Sequence, residues 1–458
     1  MTPVFDPVRL GAVTLDLLAI GAGAPDAVLA RQRLRLGRLV AAARQGSSLY
    51  RERFKGMSST DARLSSFPIV GKQELMQRFD EWVTDPELDL PRLRAFTADP
   101  KRSAEPYLGK YVVWESSGSS GQPGIFVQDA AAMATYDALE AFRRCTPDAP
   151  RLVGRIAFVG VTSGHFASYV SVQRLRQLSH WMASAIQCFS ILQPTGALVD
   201  QLNAFAPTCL ATYPTVAALL AQEALCGALQ IAPQEVLTGG ETLAPGVRQV
   251  LVQAWGATVR NSYGASEFLS MAWECQQGQL HLNADWVILE PVDEKMRPLP
   301  VGQASHSTLL TNLANTVQPL IRYDLGDQLS FGAKLCSCGS KLPVIEVEGR
   351  RDDQLTMQAN NGRMVTLLPL ALTTVLEDRA AVFDFQLRQR NLHTLELHLP
   401  LGGAAGAAAL KRGRQVLLDF ARVQGLDSLR IVTKAGATLP RGRSGKVQRV
   451  VACPASGH

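Results

Sequence analysis

The run of this sequence richest in groups that could bind a ligand extends from Ser116 to Gly124, Ser-Ser-Gly-Ser-Ser-Gly-Gln-Pro-Gly. Glycines let a backbone approach a ligand closely, and hydroxyls donate hydrogen bonds. A loop of this kind between a strand and a helix N-terminus can surround phosphate oxygens. A flexible Gly/Ser linker has the same composition. Because no Gly-Lys-Ser/Thr closes the run, a Walker-type P-loop is disfavoured.

Further polar runs follow along the chain, and each has an ordinary explanation when it is taken alone. An Asp-x-Gly-Asp turn such as 324–327 is usually a solvated turn. Lys446, on a Gly/Ser-flanked turn beside arginines, has the pattern of a solvated basic loop. Their order and spacing are therefore more informative than any one of them.

Taken together, six runs resemble, in order, the motifs of the adenylate-forming superfamily, the acyl-CoA synthetases or AMP-binding enzymes. The first is similar to the phosphate loop Ser-Gly-Thr-Thr-Gly-x-Pro, with serines in place of both threonines. The resemblance implies that ATP phosphates are bound by Ser116, Ser117, Gly118, Ser119, Ser120 and Gly121.

Two central motifs would hold the adenine and the metal. Gly239-Gly240-Glu241 resembles the turn that packs on adenine, so Gly240 and Glu241 are implied cofactor-binding residues. In the run 261–267, the resemblance implies that Tyr263 stacks on adenine beside Gly264, that Ser266 contacts the α-phosphate and that Glu267 holds Mg²⁺. A hard carboxylate oxygen suits Mg²⁺.

The last motifs would complete the nucleotide site. By resemblance, Asp327 accepts hydrogen bonds from the ribose hydroxyls, although Leu325 stands where threonine is usual. Arg350 would lie near the ribose or phosphate, and Asp352 would be the hinge between domains. Lys446 would bridge the attacking carboxylate and the α-phosphate, which makes it, with Glu267 and Ser266, a predicted catalytic residue.

Alternating β-branched runs and helical stretches predict the α/β class. The resemblance implies a large N-terminal AMP-binding domain of several sheet and helix subdomains, 1–350, and a small mobile α+β lid, 351–458. Predicted strands are Tyr111–Trp114, Arg155–Val161, Ala257–Val259, Thr308–Leu313, Phe383–Leu387, Leu395–Leu399 and Ser428–Val432. Predicted helices are Asp26–Ala43, Lys72–Arg78, Asp129–Phe142, Thr215–Cys226, Pro245–Trp255 and Ala404–Val423.

The N-terminal runs 49–52, 67–69 and 72–75 look like the phenylacetate-CoA ligase branch. Cys275, His281, Cys336 and Cys338 form two pairs that suit a structural tetrahedral zinc site, and some members of the branch carry a matching set. Buried free thiols are the alternative. In the acyl pocket, the resemblance points to the substrate-binding candidates His165, Tyr213, Gly239 and Ser262, although a histidine near a glycine turn is often structural.

Composition limits the classes of protein. With 458 residues and 47% hydrophobic content, the chain can build more than one domain. Its net charge of +6 is too dispersed for a nucleic-acid footprint. Eight irregularly spaced cysteines, no secretory pattern and no long apolar run predict a cytoplasmic protein without a membrane span or a disulfide framework.

The resulting hypothesis is a ligase that uses ATP and Mg²⁺ to adenylate a small aromatic carboxylic acid of the benzoate, hydroxybenzoate or phenylacetate type and passes the acyl group to coenzyme A. An acyl carrier protein with a phosphopantetheine thiol is the alternative acceptor. A basic surface for it would come from Arg388, Arg390, Lys411, Arg412 and Arg414. A non-catalytic nucleotide-binding protein is the third hypothesis, and a homodimer is expected by analogy.

Overall fold

The computed structural model describes residues 4–21, 25–57, 64–116, 123–143, 154–347, 355–382, 385–439 and 449–452. Its helices are α1 Pro7–Gly21, α2 Pro25–Gly46, α3 Ser48–Arg53, α4 Lys72–Gln77, α5 Phe79–Trp82, α6 Leu90–Thr97, α7 Ala130–Ala138, α8 Ala167–Arg176, α9 His180–Ala185, α10 Thr195–Phe205, α11 Pro214–Leu225, α12 Pro245–Trp255, α13 Pro369–Ala380 and α14 Gly403–Val423. Its strands are β1 Val112–Glu115, β2 Ile125–Gln128, β3 Ile156–Gly160, β4 Ile186–Ser190, β5 Cys209–Thr212, β6 Glu235–Gly239, β7 Thr258–Ala265, β8 Phe268–Glu274, β9 Leu280–Leu282, β10 Val287–Val292, β11 Ser307–Asn312, β12 Tyr323–Asp324, β13 Leu329–Phe331, β14 Val344–Val347, β15 Leu355–Gln358, β16 Met364–Leu367, β17 Gln386–Asn391, β18 Thr394–His398, β19 Arg430–Lys434 and β20 Val450–Val451.

The largest sheet contains nine of the described strands, in the order β13-β14-β9-β8-β7-β6-β5-β3-β4. Its half from β4 to β7 is parallel, and the crossovers between successive strands run through helices, as in α12 between β6 and β7. Helix α12 begins with Pro245, a residue favoured in the first turn of a helix, and is followed by Gly256 (φ +61°), a residue favoured where a helix ends in the left-handed conformation. The α/β class is confirmed.

Two smaller sheets are formed by residues that precede position 348 in the sequence. Strands β10, β11 and β12 form an antiparallel sheet, and Val70 extends it by backbone hydrogen bonds with Arg322 and Asp324. Strands β1 and β2 pair antiparallel on either side of the Ser/Gly run. The segment before α4 is therefore fixed beside β12, although more than 240 residues separate them in sequence.

The helix predicted at Asp129–Phe142 is present after the Ser/Gly run, but an unpredicted strand lies between the run and that helix. The run joins β1 to β2, because the apolar residues of Ile125–Gln128 pair with β1 and are fully buried. Helix α7 begins only at Ala130, where Asp129 caps it by accepting a hydrogen bond from the Ala132 amide at 2.8 Å. A helix N-terminus therefore does not follow the run directly.

Residues 355–452 contribute two sheets of their own. Strands β15 and β16 form a hairpin, and the order β19-β18-β17-β20 makes a four-stranded sheet that α13 and α14 accompany. Gly413 of α14 is needed for close packing, since an added Cβ would lie 2.8 Å from the Leu397 side chain. The domain boundary proposed near Asp352 lies outside the described residues.

The core has two parts. One cluster joins the N-terminal helices to the small sheets and contains the buried Tyr50, Trp82 and Trp114. The other joins the parallel half of the large sheet to residues of α13, α14 and the C-terminal sheet. Among the helices of the described ranges, none has both the length and the apolar character needed to span a bilayer.

Candidate functional site

Tyr263 and Asp327, which come from motifs 64 residues apart, meet directly. The Tyr263 hydroxyl donates a hydrogen bond to Oδ2 of Asp327 at 2.9 Å. A bulge between Tyr263 and Ala265 interrupts the pairing of β7 with β8 at this point. Gly264 sits in that bulge because an added Cβ would lie 1.8 Å from the Leu269 carbonyl oxygen. The two side chains are thus placed to contact one ligand.

Glu267 lies beside this pair and is held by a second tyrosine. The Tyr323 hydroxyl donates to Oε1 of Glu267 at 2.8 Å, and only 3% of Tyr323 is exposed. Burial raises the pKa of Glu267, against the hydrogen bond from Tyr323 and the positive charge of Lys72, while Asp327 raises it further. A partly buried carboxylate next to another carboxylate is an environment that a bound cation would stabilise.

Hydrogen bonds from two side chains to backbone carbonyls fix the turn that carries Ser266 and Glu267. The Trp114 indole donates to the Ser266 carbonyl at 2.8 Å, and Asn312 donates to the Glu267 carbonyl at 2.9 Å. Trp114 is fully buried and belongs to β1, the strand that leads into the Ser/Gly run. The turn and the run are therefore both anchored to β1.

The base of the Ser/Gly run is closed. Ser116 and Gly124 exchange backbone and side-chain hydrogen bonds, with Ser116 N to Gly124 O at 2.8 Å and Gly124 N to Ser116 Oγ at 2.9 Å. Lys72 donates to the same Ser116 Oγ at 3.0 Å. The other predicted residues of this loop, Ser117, Gly118, Ser119, Ser120 and Gly121, lie outside the described residues.

Lys72 is a site residue that sequence reasoning used only as a marker of the branch. One signal was present: a lysine at the first position of a helix places a cation at the end where the helix dipole disfavours it. Such a position suggests that another interaction holds the side chain. Its neighbour Ser116 is 44 residues away in sequence, which no local pattern reveals.

The Gly239-Gly240-Glu241 turn rests on α11. Both carboxylate oxygens of Glu241 accept hydrogen bonds from Thr215, at 3.0 Å from its amide and 3.1 Å from its hydroxyl, in the first turn of that helix. Gly240 has a φ of +79°, and an added Cβ would lie 3.1 Å from the Tyr213 ring. The turn therefore brings its backbone against the partly buried ring of Tyr213, a predicted substrate-binding residue.

Gly239, the last residue of β6, lies beside Ser262 in the middle of β7, where the two are register partners. The Ser262 hydroxyl donates to the Thr238 carbonyl at 3.2 Å. His165 is 1% exposed, and its Nε2 lies 3.0 Å from the Asp99 carbonyl oxygen, against the edge of the Phe96 ring. These contacts are those of a packed histidine, the alternative noted for it from sequence.

The four predicted zinc ligands form one cluster. The donor atoms of Cys275, His281, Cys336 and Cys338 all lie within 4.8 Å of one another. Cys275 Sγ is 3.7 Å from Cys336 Sγ, and Cys338 Sγ is 3.3 Å from His281 Nε2. The Nδ1 atom of His281 lies 3.0 Å from the Leu342 carbonyl oxygen, so the proton is on Nδ1 and Nε2 faces the thiols.

Comparison with known proteins shows what this architecture resembles. A 2-hydroxyisobutyryl-CoA ligase solved with 2-HIB-AMP and CoA in the thioesterification state matches with a TM-score of 0.60 at 20% identity, over 94% of this chain and 90% of that one. The open conformation of the same ligase matches with a TM-score of 0.55 at 20% identity, over 93% and 90%. The chain has the fold of the adenylate-forming ligases.

Sequence comparison reaches less far than structure. Protein CapK of Staphylococcus aureus is 24% identical over 211 residues, which is 45% of this chain and 45% of that protein. The chain thus matches less than half the length of this relative. No family model matches the chain.

Within the adenylate-forming fold, the described part of the chain brings together Ser116, Tyr263, Glu267 and Asp327, four of the residues predicted for the nucleotide site. Arg350, Asp352 and Lys446 lie outside the described residues. Arg449, three residues after Lys446, is buried and forms an ion pair with Glu377 of α13. The strand that follows the predicted catalytic lysine is therefore fixed to the C-terminal core.

Proposed function

We propose that the chain is an ATP-dependent acid–thiol ligase, which adenylates a small carboxylic acid and transfers the acyl group to coenzyme A. The main observation is the meeting of Tyr263, Asp327 and Glu267 beside Ser116, in a fold shared with a CoA ligase. The sequence resemblance implies that all four residues contact the same bound Mg·ATP.

The chemistry required is the attack of a carboxylate on an α-phosphate, which brings two anions together. Positioning and positive charge therefore carry most of the catalysis. Tyr263 would lie against the adenine, Asp327 would accept the ribose hydroxyls, and Lys446 would sit between the attacking carboxylate and the phosphate. Glu267 would hold Mg²⁺, which offsets phosphate charge when it is bound.

The acid is proposed to be aromatic, of the benzoate, hydroxybenzoate or phenylacetate type. Support comes from the resemblance to the phenylacetate-CoA ligase branch and from the partly buried Tyr213 ring, which packs between Gly160 and Gly240. An aromatic ring at this place would offer a flat apolar wall to an aryl group. His165 is less suited to contact the acid, because its Nε2 already faces a backbone carbonyl.

Acid-dependent ATP–pyrophosphate exchange tests this function. The purified chain is incubated with Mg·ATP, labelled pyrophosphate and a panel of benzoates, phenylacetates and short aliphatic acids. We expect exchange with an aromatic acid and its loss in Lys446→Ala. Exchange with aliphatic acids only would reject the aromatic proposal, and no exchange with any acid would favour a non-catalytic nucleotide-binding protein.

A carrier protein is the second candidate acceptor, and the distribution of charged residues along the chain supports this alternative. Residues 351–458 contain 15 Lys and Arg against eight Asp and Glu, whereas residues 1–350 contain 31 against 32. The excess positive charge thus belongs to the C-terminal region, where Lys411, Arg412 and Arg414 are exposed on α14. An acidic carrier helix would complement such a surface.

Two of the arginines proposed for that surface are engaged locally. Arg390 pairs with Glu396 at 2.9 Å, and Arg388 donates to the Gln386 side chain at 2.5 Å. Arg412 and Arg414 of α14 also donate hydrogen bonds, but to the backbone carbonyls of Ala380 at 3.0 Å and Ile431 at 3.3 Å, which leave their charges un-neutralised, so α14 is the better test. Incubation with coenzyme A or with holo carrier protein shows which thiol is acylated, and a Lys411→Glu, Arg414→Glu variant should slow only transfer to the carrier.

The cysteine–histidine cluster is proposed to hold a structural zinc ion. Tetrahedral zinc with Zn–S bonds of about 2.3 Å separates two ligand sulfurs by about 3.8 Å, close to the separation of Cys275 and Cys336. The oriented Nε2 of His281 completes a three-sulfur, one-nitrogen set. The ion would tie the end of β8 and strand β9 to the loop between β13 and β14.

A further inference from the structure

Lys72 is the charged side chain of the site to which neither the motifs nor the proposed roles give a task. It begins α4, and Val70, two residues earlier, is fully buried and pairs with β12. The hydrogen bonds run from Val70 N to Arg322 O at 3.2 Å and from Asp324 N to Val70 O at 2.9 Å. The backbone around Lys72 is therefore fixed next to the strand that carries Tyr323.

The side chain of Lys72 extends over the closed base of the Ser/Gly loop. Its Nζ donates to Ser116 Oγ at 3.0 Å, and its Cε would lie 3.0 Å from a Cβ added at Gly124. Both ends of the loop thus touch the same side chain. A ligand that contacts Ser116 would therefore meet this ammonium group.

The same ammonium group acts on Glu267. Its positive charge lowers the pKa of that carboxyl, against the larger effect of burial, which raises it. Lys72 therefore lies between the predicted phosphate loop and the predicted Mg²⁺ ligand. Phosphates bound by the loop and by a Glu267-held Mg²⁺ would occupy this space.

We propose that Lys72 binds the β- and γ-phosphate oxygens of ATP and stabilises pyrophosphate as it leaves. This rests on the proposed adenylation. In that step the carboxylate oxygen bonds to the α-phosphorus, the bond from that phosphorus to the bridging oxygen breaks, and the electron pair stays on pyrophosphate. Lys72 supplies positive charge to the leaving side, and Lys446 supplies it to the attacking side.

The half-reactions separate this role from a structural one. Pyrophosphate takes part in adenylation only, so a residue that binds it is dispensable once acyl-AMP has formed. Lys72→Met keeps the length of the side chain and removes the charge, whereas Lys72→Arg keeps the charge. Lys295→Met, on an exposed turn, is the matched control.

We expect Lys72→Met to reduce ATP–pyrophosphate exchange about 100-fold and to raise the KM for pyrophosphate about 10-fold. Thioester formation from added acyl-AMP and coenzyme A should stay within about twofold of wild type. Lys72→Arg should recover part of the exchange, and Lys295→Met all of it. Equal slowing of both half-reactions, or an unchanged KM for pyrophosphate, would show that Lys72 only supports the loop.

Calorimetric binding of Mg·ATP and of pyrophosphate keeps this test independent of turnover. If the wild type binds pyrophosphate but shows no exchange with any acid, the ligase proposal fails while Lys72 can still be assessed by the loss of binding in Lys72→Met. If the wild type exchanges and Lys72→Met binds and exchanges equally well, the Lys72 proposal alone fails. Thermal melting of each variant shows that it is folded.

Discussion

Removal of one hydroxyl, in Tyr323→Phe, tests how Glu267 is held. The hydroxyl donates at 2.8 Å to a partly buried carboxylate, and phenylalanine fits the place of the 3% exposed ring because it lacks only the hydroxyl. A hydrogen bond to a charged group contributes about 1.5–3 kcal/mol. If Glu267 must be oriented to hold Mg²⁺, the loss corresponds to a fall of about 10-fold to about 100-fold in kcat/KM for Mg·ATP.

The assay is pyrophosphate exchange at several concentrations of Mg²⁺ and ATP. Tyr111→Phe is the control, since the Tyr111 hydroxyl also donates to a carboxylate, that of Asp85, away from the site. We expect Tyr323→Phe to require more Mg²⁺ and Tyr111→Phe to behave as wild type. Equal kinetics for both variants would refute the view that Tyr323 orients Glu267 for the metal.

Three further predictions concern the metal cluster and the C-terminal region. Cys275→Ser, or removal of metal with a chelator, should lower the zinc content measured by mass spectrometry from one per chain and lower the melting temperature; a wild-type protein without zinc would contradict the proposed site. Glu377→Gln leaves Arg449 buried without its anionic partner and should cost about 3–5 kcal/mol in urea unfolding, whereas an exposed-pair variant, Asp419→Asn, should cost less than about 1 kcal/mol. The Asp378 side chain is exposed, yet desolvation by the surrounding protein and then the charge of the neighbouring Glu377 raise its pKa from 3.8 to about 6. Its ionised form therefore opposes folding above that pH, by an amount that solvent screening keeps small, and the penalty is absent below pH 3.8. Asp378→Asn should raise the melting temperature slightly at pH 8 and not at pH 3.5, and an equal rise at both would contradict the shift.

Much of the fold was predictable because local signals agreed with tertiary packing. Helix α12 matches its predicted bounds, Pro245–Trp255, where helical periodicity, an initial proline and a following glycine coincide. Strand β3 and helix α14 lie within one or two residues of their predictions for the same reason. Such segments carry their own start and stop residues.

Errors came where pairing overrode local pattern. Strand β17 runs from Gln386 to Asn391, beyond the predicted Phe383–Leu387, because its polar second half pairs with β18 through a bulge at an exposed hairpin. Strand β2, which was not predicted, lies between the Ser/Gly run and the predicted helix Asp129–Phe142 because β1 is available to pair with it. Neither partner is visible in a local window.

The site was predictable where residue types were distinctive. Cys275 and Cys336 are 61 residues apart, yet they lie together with His281 and Cys338 as predicted, because thiols and imidazoles are distinctive metal-binding groups. Zinc binding by this cluster stays a prediction. The contacts of Tyr323 and Lys72 were not predicted, because a tyrosine or a lysine has many ordinary uses. Only the pairing of Val70 with β12 shows why Lys72 reaches the site.

The most direct test of the central claim is a crystal structure with a non-hydrolysable acyl-adenylate analogue. We predict adenine against Tyr263, both ribose hydroxyls within hydrogen-bonding distance of Asp327, and Lys446 Nζ at the phosphate position beside the Ser116 to Gly124 loop. An analogue bound elsewhere, with that loop empty and Lys446 remote from it, would contradict the account.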